Sequence, residues 1–443
     1  MVRFRTAGAV LVLVIGLVLA SVPVAQAQSG GETPEATEIG VTPTEIKVAV
    51  IADVDNPLAP GLFKGVVDGA EAGARYLNSK AGGGGLAGRK VVIDFIDSRL
   101  SATDARNAMI KACTSDFAVV GTAALFLPTI DDAVGCVDQA GRTTGLPDYP
   151  GIAQTTEGCA PIAFPINPPF LVCDTADESP PTYQSSNGAF RYLQRKNGKD
   201  LHGAMIYGAD TKDSQILGQV LIDAAVAAGI EPDQNLGISA RALQAAYTPI
   251  VQRMQDDGSN FAYTTSTASS AISLMKEAKL QGINPADTVF ACTTACYDQS
   301  VLDSADTEGL YVPLNFLPFE EARYNKTLRR FLKYVGDDAS GFAVYGWVGM
   351  LLLAEAVNKV VADQGVNGLT RERLLDATKT ITAFDAGGML GTVNIGDKVS
   401  SPCTMLARVE NGKFVRVWPS KKGTFDCNPE SYVLLEGNAI ADR

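Results

Sequence analysis

The sequence predicts an α/β protein of two units of similar size, each a parallel sheet covered by helices. Three observations predict it. Short apolar runs of strand length alternate with amphipathic stretches of helix length, the grammar of a parallel sheet buried on both faces. The alternation stops between residues 145 and 181, where eight prolines and two cysteines fall, and then restarts with the same grammar. The 443 residues are enough for two or three domains with sizeable cores.

In the first unit, residues 45–51 (EIKVAVI) read as a buried strand, followed by a polar loop over 53–60 and a helix over 62–79. Glycines 82–85 end that helix. Residues 90–96 form the next strand, Ser101 or Thr103 caps a helix running to about residue 114, and 117–121 form a third strand. The proline-rich stretch is expected to be irregular and to hold a crossover between the units. In the second unit, 183–195, 215–228 and 268–280 read as helices, and 204–207, 261–263 and 288–291 as strands. Beyond Gly309 the chain is expected to cross back, with a strand at 310–312 and helices at 323–335, 345–361 and 371–378. Strands at 391–395, 404–409 and 414–418 close the chain, the last two joined by the Asn411-Gly412 turn of a hairpin.

Arg3 and Arg5, an apolar run over 7–20 and the small-x-small pattern of Ala25-Gln26-Ala27 make a secretory signal peptide, with cleavage expected after Ala27. A retained membrane anchor is the alternative. The first cysteine is Cys113, so no cysteine is placed to carry a lipid anchor at the cut. Residues 28–38 read as a flexible leader. No later apolar stretch is expected to span a membrane: the run over 348–356 is interrupted by Gly349, ends at Glu355 and reads as a buried helix. The net charge of −12 argues against nucleic acid and anionic lipid as partners.

An even count of eight cysteines in an exported chain reads as disulfides. Sequential neighbours give Cys113–Cys136, Cys159–Cys173, Cys292–Cys296 and Cys403–Cys427, one of about a hundred connectivities. A zinc site at Cys292 and Cys296 would need a second Cys or His pair, and the chain has one histidine. No metal and no cofactor are expected.

Catalytic patterns find little support. Gly83-x-Gly85-x-x-Gly88 matches a dinucleotide fingerprint as text, but it follows a helix and precedes a strand, the reverse of what phosphate binding needs. His202 is the only histidine and reads as a solvated loop residue. No Gly-x-Ser-x-Gly elbow occurs, and the acid pairs Asp131-Asp132, Asp256-Asp257 and Asp337-Asp338 read as helix starts or turns. What remains are the loops after the strands, where open α/β sheets bind ligands. These are residues 52–60, 122–129 and 146–152 in the first unit, and 208–214, 264–268 and 292–297 in the second. Residues 122–129 also precede a helix, whose free N–H groups could face an anion.

The segment 38–48 (EIGVTPTEIKV), then Asn56-Pro57-Leu58-Ala59, Gly69-Ala70-Glu71-Ala72-Gly73-Ala74, and Gly88-Arg89-Lys90-Val91 resemble solute-binding proteins of the branched-chain amino acid type of ABC transporters. So do Phe117-Ala118-Val119-Val120-Gly121-Thr122, Val251-Gln252-Arg253-Met254 with Gly258-Ser259-Asn260-Phe261, and Tyr345-Gly346-Trp347-Val348 with Leu353-Ala354-Glu355-Ala356. The pieces follow in order over most of the chain. The resemblance implies a type I periplasmic-binding-protein fold, two α/β lobes joined by three crossovers that close on a small ligand. Carried onto this chain, it gives lobe 1 over 39–167 plus 310–387 and lobe 2 over 168–309 plus 388–443. It implies a monomer, not an enzyme, that delivers a small molecule to a membrane ABC permease from the periplasm or cell envelope. A sensor of the same fold that signals to a membrane receptor is the alternative.

The ligand loops depart from the family's amino-acid pattern. The loop after the third strand is Ala124, Leu125 and Phe126 where serine or threonine is usual. The next loop brings Asp148 and Tyr149. The family's second-lobe acid should fall near Thr293 and Thr294, which carry no charge, so Asp210 and Asp213 are the candidate substitutes. Thr265, Ser266 and Tyr297 complete the candidate ligand-binding set. The ligand is therefore expected to be amino-acid-like without being a standard branched-chain amino acid.

Overall fold

The first four strands are short and parallel. β1 (Glu45–Ala52), β2 (Lys90–Asp97), β3 (Ala118–Val120) and β4 (Asp148–Tyr149) form a sheet in the order β2-β1-β3-β4. Val48, Val50 and Ile51 of β1 are fully buried, as a central strand covered on both faces requires. Helices α1 (Lys64–Asn78), α2 (Ala102–Ser115) and the short α3 (Asp131–Val134) and α4 (Thr155–Cys159) follow the strands in turn. Ser101 rather than Thr103 caps α2, accepting from the Asp104 N–H. This computed structural model describes residues 32–57, 60–198 and 200–436. The expected signal peptide lies outside them.

The second part of the chain contributes β5 (Thr182–Ser186), α5 (Gly188–Asn197), β6 (His202–Gly208), α6 (Lys212–Val226), β7 (Glu231–Ile238), α7 (Thr248–Asp257), β8 (Phe261–Thr264), α8 (Ala268–Leu280), β9 (Val289–Cys292), α9 (Gln299–Asp303) and β10 (Tyr311–Leu314). Helices α10 (Lys326–Val335), α11 (Gly341–Gln364) and α12 (Arg371–Lys379) come next, then β11 (Met405–Glu410), β12 (Lys413–Trp418) and β13 (Tyr432–Glu436). A seven-stranded sheet runs β12-β11-β10-β9-β8-β6-β7, parallel except for β11 and β12. β5 and β13 pair antiparallel by themselves.

Long-range pairing overrode local pattern at several places. Residues 183–186 are a strand rather than the start of a helix, because β13 arrives from the end of the chain to pair with them. Glu231–Ile238, too polar to read as a strand, lies at the sheet edge beside β6. Residues 391–395 make only isolated bridges, Val393 with Phe384 and Asn394 with Val399. The chain does not leave the second sheet at Gly309: Tyr311 pairs with Ala291 of β9, and all of β10 pairs with β11. His202 begins β6 and meets Asp233 through Nδ1 at 2.7 Å, so it is not a loop residue. The Asn411-Gly412 hairpin is present, with both residues at positive φ as its turn requires.

Residues 33–38 are not a flexible leader. Asn367 donates to the Thr33 carbonyl and accepts from the Glu35 N–H, while the Arg89 guanidinium donates to the Glu35 carbonyl. Glu38 is buried and accepts from the Arg371 N–H. Arg371, fully buried, also donates to the carbonyls of Cys113, Asp116 and Val137, tying α12 to the end of α2.

α11 corrects the expectation about membrane-length stretches. Its 24 residues are apolar and long enough to cross a membrane, but most of its apolar window is buried inside the protein. It packs on α1 through small residues. A Cβ on Gly69 would lie 2.0 Å from the Ala343 carbonyl oxygen, and one on Gly346 1.9 Å from that of Val66. The glycines thus allow a backbone approach that any side chain would block. All four expected disulfides are formed, which also removes Cys292 and Cys296 from metal binding.

Candidate functional site

The C-terminal ends of both parallel sheets open onto one cavity of about 430 Å³, the place where open α/β sheets bind ligands. The first sheet contributes Leu125 after β3 and residues 151–155 after β4. The second contributes Tyr263 on β8, Thr293 and Thr294 after β9, and Asn315 after β10. Phe342 and Tyr345 enter from the first turns of α11, and residues 166–171 from the crossover.

Buried Asp53 fixes the first-sheet rim. It accepts from the Ser98 hydroxyl (2.6 Å), the Leu100 N–H (2.7 Å) and the Leu125 N–H (2.8 Å), joining the loops after β1, β2 and β3. That last bond occupies an N–H that an anion over residues 122–129 would have needed, and α3 spans only four residues.

Asp213 is the one charged side chain lining the cavity among the described residues. Thr211 caps α6 by accepting from the Ser214 N–H, which sets the first turn and so places Asp213. A carboxylate there is favoured by the helix dipole. Its Oδ1 accepts from the Thr155 hydroxyl at 2.7 Å, a bond from the first-sheet side to the second. Burial pushes the Tyr345 hydroxyl up to about 12, against opposing hydrogen bonds from Asn167 and Thr294, so it stays a neutral phenol. Asn315 donates to Asn167, while its own Oδ1 is buried without a partner.

Behind this wall sit two fully buried acids. Asp148 accepts from the Thr122 hydroxyl and Glu157 from the Gln154 N–H. Burial raises both, and for Glu157 the neighbouring Asp148 charge adds to it. Asp148 Oδ2 and Glu157 Oε1 are buried without a hydrogen-bond partner.

Of the candidate residues, Leu125, Asp213, Thr293 and Thr294 come together on the cavity. Tyr297 lines a small adjoining pocket of about 30 Å³ beside Thr294 and Tyr345, its hydroxyl donating to Glu320 at 3.0 Å. The others lie elsewhere. Ala124 is buried in the core. Phe126 is 42 % exposed. Asp148 and Tyr149 form β4, whose pairing with β3 turns them into the core; the Tyr149 hydroxyl bonds Thr378. Asp210 is used by its own loop, accepting from the Ser239 hydroxyl and the Ala240 N–H. Thr265 reaches the Ile206 carbonyl and Ser266 accepts from Ser270.

Sequence reasoning missed Thr155, Asn315, Tyr345 and the apolar side chains of α5 and α6. Asn315 follows β10 directly, so the strand-end rule would have found it had β10 been kept in the second sheet. Tyr345 sat in a recognised motif without an assigned role. Thr155 lies in a proline-flanked stretch with no periodic signal.

A cavity between two sheets, mainly apolar with a few convergent polar groups, is the geometry of a small-molecule binding protein. The chain belongs to the periplasmic binding protein family, whose model matches residues 45–413. This is a family of solute-binding proteins rather than enzymes. No curated protein sequence matches the chain. Among solved structures it is similar to an ABC transporter substrate-binding protein from Aeropyrum pernix, at 17% identity and TM-score 0.65 over 88% of this chain and 97% of that one. It is similar to a fatty acid ABC transporter substrate-binding protein from Thermomonospora curvata, at 16% identity and TM-score 0.64 over 90% and 99%. It is also similar to a leucine-binding protein from Thermotoga maritima, at 15% identity and TM-score 0.62 over 84% and 97%. These likenesses show the type I periplasmic-binding-protein fold.

Proposed function

We propose that the chain is an exported solute-binding protein that captures a small molecule between its two lobes by hinge closure and hands it to an ABC permease. The observation that carries this is the cavity at the meeting of both sheets, with Asp213 of one side bonded to Thr155 of the other. A ligand touching both walls favours the closed arrangement, and closure is worth only its differential affinity for that state. The N-terminal signal pattern and the four disulfides support work outside the cytoplasm. Neighbours of this fold are named for ligands as different as leucine and fatty acids, so the fold does not fix the ligand. In our reading the ligand is not a standard branched-chain amino acid, because Leu125 stands where serine or threonine is usual and no Lys, Arg or His lines the cavity among the described residues to meet an α-carboxylate. The test is mass spectrometry of what the native protein releases on denaturation, followed by small-angle scattering with that compound. A smaller radius on binding, without turnover, is expected. Tight binding at unchanged radius, or chemical conversion of the compound, would overturn the reading.

A further inference from the structure

The cavity does not stop at the cleft. Ala189 and Phe190 of α5, Leu221 of α6 and Tyr263 of β8 line it, yet these residues also build the hydrophobic core of the second sheet. The Phe190 and Tyr263 rings pack with centroids 5.0 Å apart. Leu171, Tyr183 and Ile216 line it too, and belong to a separate small apolar cluster. The space therefore runs from the strand ends into a chamber among α5, α6 and β8. Protein interiors are close-packed, and core side chains facing a void forfeit dispersion contacts. An apolar chamber of this kind is best explained by something that fills it.

The polar end has a definite sense. Among the described residues Asp213 is the only charge lining the cavity, and the Asn315 Oδ1 is a buried acceptor without a partner. No Lys, Arg or His lines the cavity among the described residues. An anionic head would meet a like charge and no cation, leaving its desolvation unrepaid. A donating head would satisfy both acceptors. A head group alone at the polar end would leave the space beside Ala189, Phe190 and Leu221 unfilled.

We propose that the ligand is an amphiphile larger than an amino acid, with a non-anionic, hydrogen-bond-donating head at Asp213 and Asn315 and an apolar body in the chamber among α5, α6 and β8. This rests on the solute-binding reading and gives it a ligand class. Tyr183 and Tyr263 supply apolar ring faces to the body.

The test is titration calorimetry of the purified exported protein with decylamine, decanol, decanoate, butylamine and leucine, each below its aggregation concentration. Decylamine is expected to bind at least tenfold tighter than decanoate, leucine or butylamine. Asp213→Asn should bring decylamine down to the level of decanol. Ala189→Phe, which fills the chamber, should weaken decylamine at least tenfold and leave butylamine within twofold. Leu217→Trp, at a partly exposed cavity position, gives the same readout should Ala189→Phe fail to fold. Leucine or decanoate binding as tightly as decylamine, or indifference to both chamber variants, overturns the proposal. If leucine alone binds and compacts the protein, the solute-binding reading stands and the amphiphile fails. If neither the probes nor the released native compound changes the scattering radius, the solute-binding reading itself fails.

Discussion

The Thr155 hydroxyl donates to the Asp213 carboxylate at 2.7 Å, joining the segment after β4 to the first turn of α6. Thr155 starts the helix after β4 of the first sheet and Asp213 the helix after β6 of the second, so the bond runs from one wall of the cavity to the other. A hydrogen bond to a charged group contributes about 1.5–3 kcal/mol. Thr155→Val should therefore weaken binding of the released native ligand by about tenfold or more and enlarge the radius of the unliganded protein. Unchanged affinity in calorimetry together with unchanged scattering would show that the bond plays no part in closure.

The buried acids Asp148 and Glu157 give the protein a pH dependence of definite sign. Burial holds both above their unfolded values of about 4, so above that pH the folded chain binds more protons than the unfolded one. Their contribution is full below about pH 4 and is lost as pH rises through the raised folded values. Thermal unfolding should show a lower Tm at about pH 8 than at about pH 5. Glu157→Gln should shrink that difference, because the amide carries no charge to bury. An identical pH shift in both proteins would rule this pair out as the source.

Glu321 and Arg416 form a bidentate ion pair with almost no solvent contact, at 2.5 and 2.7 Å. Glu321 also accepts from the Gly423 N–H. Removing one partner leaves the other charge buried, which costs about 3–5 kcal/mol. Glu321→Ala should lose stability of that order in urea unfolding, whereas Lys279→Ala, at an exposed ion pair with Asp306, should lose about 1 kcal/mol or less.

The Cys113–Cys136 bond closes a loop of 23 residues between the end of α2 and the segment after α3. The double Cys→Ala variant should lose about 3 kcal/mol by the chain-entropy account. Non-reducing peptide mapping should return this pair and the other three. A crossed pair or a free thiol would overturn the connectivity.

Local signals carried much of this protein. The strands β1 and β3 announce themselves because a strand buried on both faces is mostly apolar. The hairpin announces itself through Asn411-Gly412, whose backbone conformation few other residue pairs adopt. Sequential pairing sufficed for the cysteines because each pair closes a short loop. Asp213 was legible as a candidate because it is an acid in the loop after a second-unit strand, where Thr293 and Thr294 leave the family's acid unreplaced.

Tertiary structure alone decided the rest. Residues 183–186 carry no information about β13, some 250 residues later, yet pairing with it makes them a strand. Asp148 and Tyr149 look like ligand groups in a loop and become core because β3 lies beside them. Residues 33–38 read as a polar leader and are fixed by Arg89, Arg371 and Asn367, which are distant in sequence. The chamber is likewise invisible in the sequence, since Phe190, Leu221 and Tyr263 are ordinary core residues by composition. A side chain's type states what it can bond. Which partners reach it, and whether space is left beside it, depends on contacts between distant segments that form only when the whole chain packs.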